Sequence, residues 1–409
     1  MSVRVLALLL LPTLPAQVAP GDGIRLTIVS STCLALPENP RAMSLVSPVT
    51  GAVTAVLGLV PAERHPGSGL LDPATGEIVV GGPCGGLRAL RLAGHEVTQR
   101  RQIRTPAAPV SIAAVALDRD GNYFYCTGTE LLRVDRQTGL VSVWDELTAN
   151  GVYNALTIDA EAGRMYVGTF SLLVGNPGFI FGYDIDAGPA PGDLLLDTGA
   201  AGLDGFITGL THDGAGTIYI AATGFSGPTV AAFEPATGAA ALVPGAPATP
   251  VNGLAYDRER DVLHLVGRGG YGLLDLGSGA LTEVASPVSS GAIGEPVSSG
   301  VIVNDLLDVT TAFPRQPSAS TPFVFEVAAH AQPGELAAVI VVAVDGIAID
   351  PVALVVGQAG RGGDVRASWS IDPSALGVRA GSSMTLRGAR ASGRVGVVLG
   401  SSIDVVFVP

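Results

Sequence analysis

The chain has 409 residues, a formal charge of −13, 14% charged residues and 47% hydrophobic ones. So much apolar content with so little charge excludes a solvated disordered chain, and the length exceeds what a single core usually holds. All 23 basic residues are arginine, which excludes a Schiff-base lysine and a phosphate loop ending in Gly-Lys. The acidity also excludes a general nucleic-acid binder.

At the N-terminus Arg4 precedes the apolar run Val5 to Leu14, and Pro15, Ala16 and Ala19 follow. The run is shorter than the roughly 20 residues needed to cross a bilayer and has the layout of a secretory signal. Residues 1–19 are therefore read as a signal peptide and the protein as exported, to the periplasm, the cell surface or the exterior. No later segment offers 18 uninterrupted apolar residues, so no transmembrane segment is expected once the signal is removed.

From about residue 20 a turn built on Asp and Gly keeps returning between short apolar stretches. One series runs through Thr50-Gly51, Asp135 to Gly139, Asp184 to Gly188, Glu234 to Gly238 and Asp275 to Gly279. A second interleaves with it, at Asp72 to Gly76, Asp118 to Gly121, Asp159 to Gly163, Asp213 to Gly216 and Asp257 to Asp261. Asp accepts backbone hydrogen bonds at a turn start and Gly takes the positive-φ position, so each period of about 45 residues holds two tight hairpins. Two hairpins make a four-stranded antiparallel sheet, the blade of a β-propeller.

The blade nearest the end reads as Val251 to Tyr256, Val262 to Gly267, Gly270 to Leu276 and Ala280 to Ala285, innermost strand first. The N-terminal blade lacks its innermost strand, because Arg25 to Ser30 resembles the second strand of later units. Val297 to Asp305 repeats the innermost pattern and is expected to close the ring against that blade. The expected fold is all-β: a propeller over residues 20–312, of six blades with seven as the alternative.

Residues 20–312 hold 15 Arg and 29 acidic residues, whereas 313–409 hold 7 of each. The acidity thus belongs to the propeller. Pro314, Pro317 and Pro322 mark a linker over 313–322, and strand candidates at Phe323 to Ala329, Ala337 to Val344, Val365 to Ile371, Ser383 to Gly388 and Val395 to Val408 suit a small C-terminal β-sandwich over 323–409.

Aligning the innermost strands by their turn Asp places Ser68, Ala113, Asn154, Thr208, Asn252 and Ser299 at equivalent positions, five of them small polar or amide residues. Such positions open onto one mouth of the central channel, which makes Ser68, Asn154, Thr208, Asn252 and Ser299 candidate ligand-binding residues. Packing of a tight, hydrated channel wall explains the same residues without a ligand. Asp118-Arg119-Asp120-Gly121-Asn122 has the start of a calcium loop without its remaining ligands, and reads as a hairpin turn. His212, directly before Asp213-Gly214, reads as a turn-flanking histidine. No catalytic set assembles, since no Gly-x-Ser-x-Gly string or metal-spaced histidine pair is present. Cys33 and Cys84 occupy matching places after the second strands of neighbouring blades, so a disulfide between them and two separate thiols both stand open.

Asn252-Gly253-Leu254-Ala255-Tyr256-Asp257, and Asn154 to Asp159 followed by Gly163-Arg164-Met165-Tyr166-Val167-Gly168-Thr169, resemble the gluconolactonase and senescence-marker family and related NHL-like repeat propellers. The resemblance covers most of residues 25–309 and implies a six-bladed propeller. It further implies a metal-dependent lactonase or related hydrolase whose channel-mouth Asn, Asp and Glu residues hold a divalent cation. Asn154 and Asn252 match two of those ligands; Thr208 stands where the Asp would be, and no matching Glu is present. The terminal module, ending Ile403-Asp404-Val405-Val406-Phe407-Val408, resembles the short β-rich terminal domains of exported planctomycete-type bacterial proteins, which implies an envelope or surface role. The leading expectation is an exported binding scaffold with a protein, glycan or small-molecule ligand and no assigned cofactor. The alternative is a metal-dependent lactonase-like hydrolase at the channel mouth.

Overall fold

The computed structural model describes residues 23–28, 43–46, 53–56, 68–72, 77–82, 86–93, 96–104, 112–147, 151–171, 177–203, 205–224, 227–257, 260–267, 270–285, 297–303, 310–314, 316–331, 335–359, 364–373, 375, 378–392 and 396–409. The described residues form strands and turns. In chain order the propeller strands are β1 (Gly23–Ile28), β2 (Met43–Val46), β3 (Val53–Val56), β4 (Ser68–Asp72), β5 (Glu77–Gly82), β6 (Gly86–Ala93), β7 (Glu96–Arg104), β8 (Ala114–Leu117), β9 (Tyr123–Thr127), β10 (Glu130–Val134), β11 (Val141–Glu146) and β12 (Gly151–Asp159). They continue as β13 (Arg164–Ser171), β14 (Phe179–Asp184), β15 (Asp193–Asp197), β16 (Phe206–His212), β17 (Ile218–Gly224), β18 (Gly227–Glu234), β19 (Ala239–Leu242), β20 (Val251–Asp257), β21 (Val262–Gly267), β22 (Gly270–Asp275), β23 (Leu281–Ala285) and β24 (Val297–Val303).

Five antiparallel sheets take four consecutive strands each, β4 to β7, β8 to β11, β12 to β15, β16 to β19 and β20 to β23. The sixth joins the two ends of the propeller: β24 pairs with β1, Gly23 opposite Val303 and Ile28 opposite Val297, and β2 and β3 complete it. The described sheets therefore make six blades, and the ring closes with β1 as the second strand of its blade. The inner strands β4, β8, β12, β16, β20 and β24 neighbour one another in that order and return to β4.

The hairpin chemistry behind the repeat is visible in the turns. Asp135 Oδ1 accepts from the backbone N–H of Gln137 at 3.0 Å and of Thr138 at 2.7 Å, and Gly139 follows at φ 70°. Asp275 repeats this with Ser278 N–H and Oγ, both at 2.7 Å, and these bonds hold its carboxyl below the usual carboxylate range. Between the blades lie separate apolar layers. Phe124, Trp144, Tyr153, Met165 and Tyr183 fill one, with the Phe124 and Trp144 rings edge to face at 4.9 Å.

The C-terminal strands are β25 (Thr310–Phe313), β26 (Phe323–His330), β27 (Leu336–Val344), β28 (Ile347–Gln358), β29 (Asp364–Ile371), β30 (Ser383–Ser392) and β31 (Gly396–Val406). They form a three-stranded sheet, β25-β26-β29, and a four-stranded one, β28-β27-β30-β31. Phe325, Val327, Val339, Leu386 and Val405 are buried between them, so the module is a β-sandwich. Two strands, β25 and β28, go beyond the sequence expectation. β25 pairs with β26, Thr310 opposite Ala329, and Ala319 N–H donates to Val408 O at 2.7 Å. The sandwich thus takes in residues at the end of the expected propeller and within the expected linker, because backbone groups there find partners in the following strands rather than in water.

Candidate functional site

The inner-ring residues share one structural cause. In β12 the register runs from Tyr153 opposite Thr169 to Ala155 opposite Gly168, which leaves Asn154 as the extra residue of a β-bulge. The same skip isolates Thr208 in β16, Asn252 in β20 and Ser299 in β24. A bulge re-aims its extra side chain, and at two of these positions the side chain bonds to the next blade. Asn154 Nδ2 donates to Ile207 O at 2.9 Å, and Thr208 Oγ1 donates to Val251 O at 2.6 Å. From the blade β4 to β7, Ser68 Oγ accepts from Val115 N–H at 3.2 Å. Asn252 is half-buried at its bulge.

Ser68, Asn154 and Thr208 therefore work as stitches between neighbouring inner strands. Close approach of those strands explains the Gly that follows Thr208: a Cβ on Gly209 would lie 3.2 Å from Gly253 Cα. The set Ser68, Asn154, Thr208, Asn252 and Ser299 offers a cation amide and hydroxyl oxygens but none of the carboxylates that hard dications want. Among the described residues no group of three or more His, Cys, Asp or Glu is placed to hold a metal ion.

The turn readings of Asp118 and His212 have direct counterparts. Asp118 Oδ1 accepts from Asp120 N–H at 2.9 Å and Asn122 N–H at 2.8 Å, and His212 Nδ1 accepts from Gly214 N–H at 3.1 Å. Cys33 and Cys84 lie outside the described residues. Cys126 is a free, buried thiol.

A cleft of about 330 Å³, which no motif in the sequence announces, opens beside the Asp118 turn, between the blades β8 to β11 and β12 to β15. Asp118, Asp120, Arg133, Trp144 and Asp186 line it, and Gln316 closes it from the C-terminal segment. Arg119 and Asp186 pair across its wall at 2.5 Å. Asp118 is only 3% exposed, and burial pushes its carboxyl up to about 6 despite the opposing bond from Asn122. The cleft therefore gathers three carboxylates and two guanidinium groups around an indole. Its only sequence trace is the acidic turn.

The two modules meet through ions. Arg136, from the turn after β10, donates to Asp72 Oδ1 at 3.2 Å and pairs with Glu326 of β26. Asp72 is fully buried and also accepts from Tyr123 Oη at 3.0 Å. Burial opposes the charge of Arg136, but Asp72, Tyr123 and Glu326 more than offset it. Burial also raises the carboxyl of Glu326, with Arg136 opposing.

No family model matches the chain, and no curated protein matches it. Among solved structures it is similar to a β-propeller chain in the crystal structure of a nidogen/laminin complex, at 12% identity and a TM-score of 0.53. The match covers 69% of this chain and 98% of that one. The shared feature is the fold.

Proposed function

We propose that this chain is an exported interaction scaffold, in which the acidic propeller receives cationic groups of a protein partner. The observation that carries the reading is the blade-to-blade use of Ser68, Asn154 and Thr208. At these positions a propeller hydrolase would assemble its cation and substrate ligands; here their polar contacts rigidify the ring. A rigid ring suits binding, because little order has to be gained on association. The excess of 29 acidic residues over 15 Arg in residues 20–312 favours a positively charged partner. The carboxylates of the cleft beside Trp144 are the proposed contact for its guanidinium or ammonium groups. The signal layout of residues 1–19 and the likeness of the terminal module to those of exported proteins support a location outside the cytoplasm. The structurally similar propeller was solved in a nidogen/laminin complex, which is compatible with a protein partner here.

The test uses the mature chain with Trp369→Phe, so that Trp144 alone fluoresces. An arginine-containing tetrapeptide should change that fluorescence in a salt-sensitive manner, and its citrulline counterpart should not. In parallel the chain is assayed for lactone hydrolysis with calcium, zinc or manganese. Metal-dependent hydrolysis abolished by Asn154→Ala in a folded protein would overturn the scaffold reading, as would indifference to the arginine peptide.

A further inference from the structure

The sandwich presents one sheet to the propeller and turns the other away. On β26, Glu326 points out of the sandwich core to Arg136 of the propeller, and Ala328 on that same outward side is fully buried. The four-stranded sheet β28-β27-β30-β31 has the opposite outlook. Its core side is set by Val339, Leu386, Ile403 and Val405, so the alternate residues face outward.

That outward face carries an apolar row across all four strands, and in the next row Gln358 of β28 is its polar member. The register aligns Val356, Ala338, Ala389 and Leu399 in one row, and Leu336, Ala391 and Val397 in the next. Leu336 is 56% exposed, Val356 63%, Leu399 49% and Val397 72%. Soluble chains rarely leave so continuous an apolar surface uncovered. On β27, β30 and β31 the face carries one charge of each sign, Arg387 and Asp404, in adjacent rows.

We infer that this face is covered by the same face of a second copy of the chain, in a two-fold dimer built sheet on sheet. Two arguments select that occupant. A two-fold axis places residue i against j and j against i, so an axis passing between β30 and β31 brings Arg387 of one copy to Asp404 of the other twice, with the exposed Asp350 of β28 at the sheet edge. Arginine has five donors, so a partner within its own chain leaves it able to serve Asp404 of the second copy. The second argument is area. Four strands about 4.8 Å apart and about 33 Å long present roughly 600 Å² of flat surface per copy, so two copies reach the roughly 1,200 Å² at which specific interfaces begin. Stacked sheets need no further shape matching than this, since they pack about 10 Å apart through interdigitating aliphatic side chains. Both propellers then lie on the far sides of the joined sandwiches.

Sedimentation of the mature full-length chain tests the inference. A concentration-dependent dimer is expected, with Leu336→Glu or Val397→Glu weakening it at least about tenfold and Leu140→Glu, at an exposed apolar position beside a propeller turn, leaving it unchanged. Arg387→Asp or Asp404→Arg alone should weaken it similarly, and the two together should restore it to within a few-fold, with unchanged circular dichroism showing that each variant folds. A chain monomeric at about 100 µM, a dimer indifferent to Leu336→Glu, or charge reversals without effect would each overturn the inference. Co-flotation of a monomeric chain with anionic vesicles would also overturn it, and would assign the face to a lipid surface.

Discussion

The hydroxyl of Thr208 donates to the carbonyl of Val251 at 2.6 Å, across the boundary between the blades β16 to β19 and β20 to β23. The same hydroxyl lies 3.2 Å from Ala221 O within its own blade, so its one hydrogen is shared between the two carbonyls, with Val251 the nearer. One side chain thus ties the inner edge of one sheet to its own second strand and to the next sheet. Thr208→Val keeps the shape and removes the donor, leaving acceptors without their partner. The expected cost is about 1 to 3 kcal/mol, with Thr208→Ser close to wild type in urea unfolding. If valine and serine are equally stable, the stitch contributes nothing.

Removal of Arg136 should be far more damaging than removal of Glu326. Asp72 is fully buried, and Arg136→Met leaves its carboxylate without the guanidinium. Breaking such a pair from one side costs roughly 3 to 5 kcal/mol. Glu326→Gln retains the Arg136 and Asp72 pair and removes only the ion contact between modules, so calorimetry should resolve separate sandwich and propeller transitions. A single unchanged transition for Glu326→Gln together with a mild Arg136→Met would contradict this division of roles.

The buried histidine of the blade β20 to β23 gives stability a pH dependence. His264 is fully buried, Nδ1 bonds Tyr271 Oη, and Nε2 lies 3.6 Å from Asp257 Oδ2, which also accepts from Arg260 Nη1 at 2.9 Å. Burial lowers the pKa of His264 below 6.5, with Asp257 opposing and Arg260 assisting. The unfolded chain therefore takes up the proton first as the pH falls through 6.5, and stability declines below that point by at most about 1.4 kcal/mol per pH unit for one proton. Asp118 acts with the other sign: its raised pKa of about 6 makes its contribution greatest below 3.8 and lost as the pH rises to 6. Comparing wild type with His264→Phe isolates the histidine. Denaturation at pH 5, 6 and 7 should show the stability of wild type relative to the variant rising with pH, because only wild type carries the histidine's contribution, and parallel profiles would refute the assignment.

Local chemistry made the blades legible. Asp135 to Gly139 and Asp275 to Gly279 each satisfy their turn within five residues, so the string itself carries the structure. Ring closure was legible because Val297 repeats an inner strand while Arg25 lies in a second one. β28 was not, because Ile347 to Ala353 are exposed on both faces and Pro351 interrupts them, leaving no alternation to read. Its trace was Asp345-Gly346, both at positive φ, the pair a two-residue hairpin demands. At the candidate sites the limit was register. Alignment found Asn154, Thr208, Asn252 and Ser299 together, but their direction depends on a bulge set by the partner strand. The cleft depends on Gln316 meeting a turn almost 200 residues earlier in the chain, a contact no local pattern encodes.

Cysteine chemistry offers a last prediction that separates Cys126 from the other two thiols. Cys126 is fully buried among Phe124, Leu131 and Tyr153, and burial alone pushes its thiol well above the ordinary range. The thiolate is the reactive form, so native protein should resist alkylation at Cys126 until the blade β8 to β11 opens. Iodoacetamide in native buffer should leave Cys126 unlabelled in intact-peptide mass spectrometry, and denaturant without reductant should expose it. The same denatured sample decides the pairing of Cys33 and Cys84: a bridge leaves one alkylated cysteine, and two free thiols give three. Labelling of Cys126 in native buffer at the rate of a free peptide thiol would show that its layer opens far more readily than a closed ring of stitched blades allows.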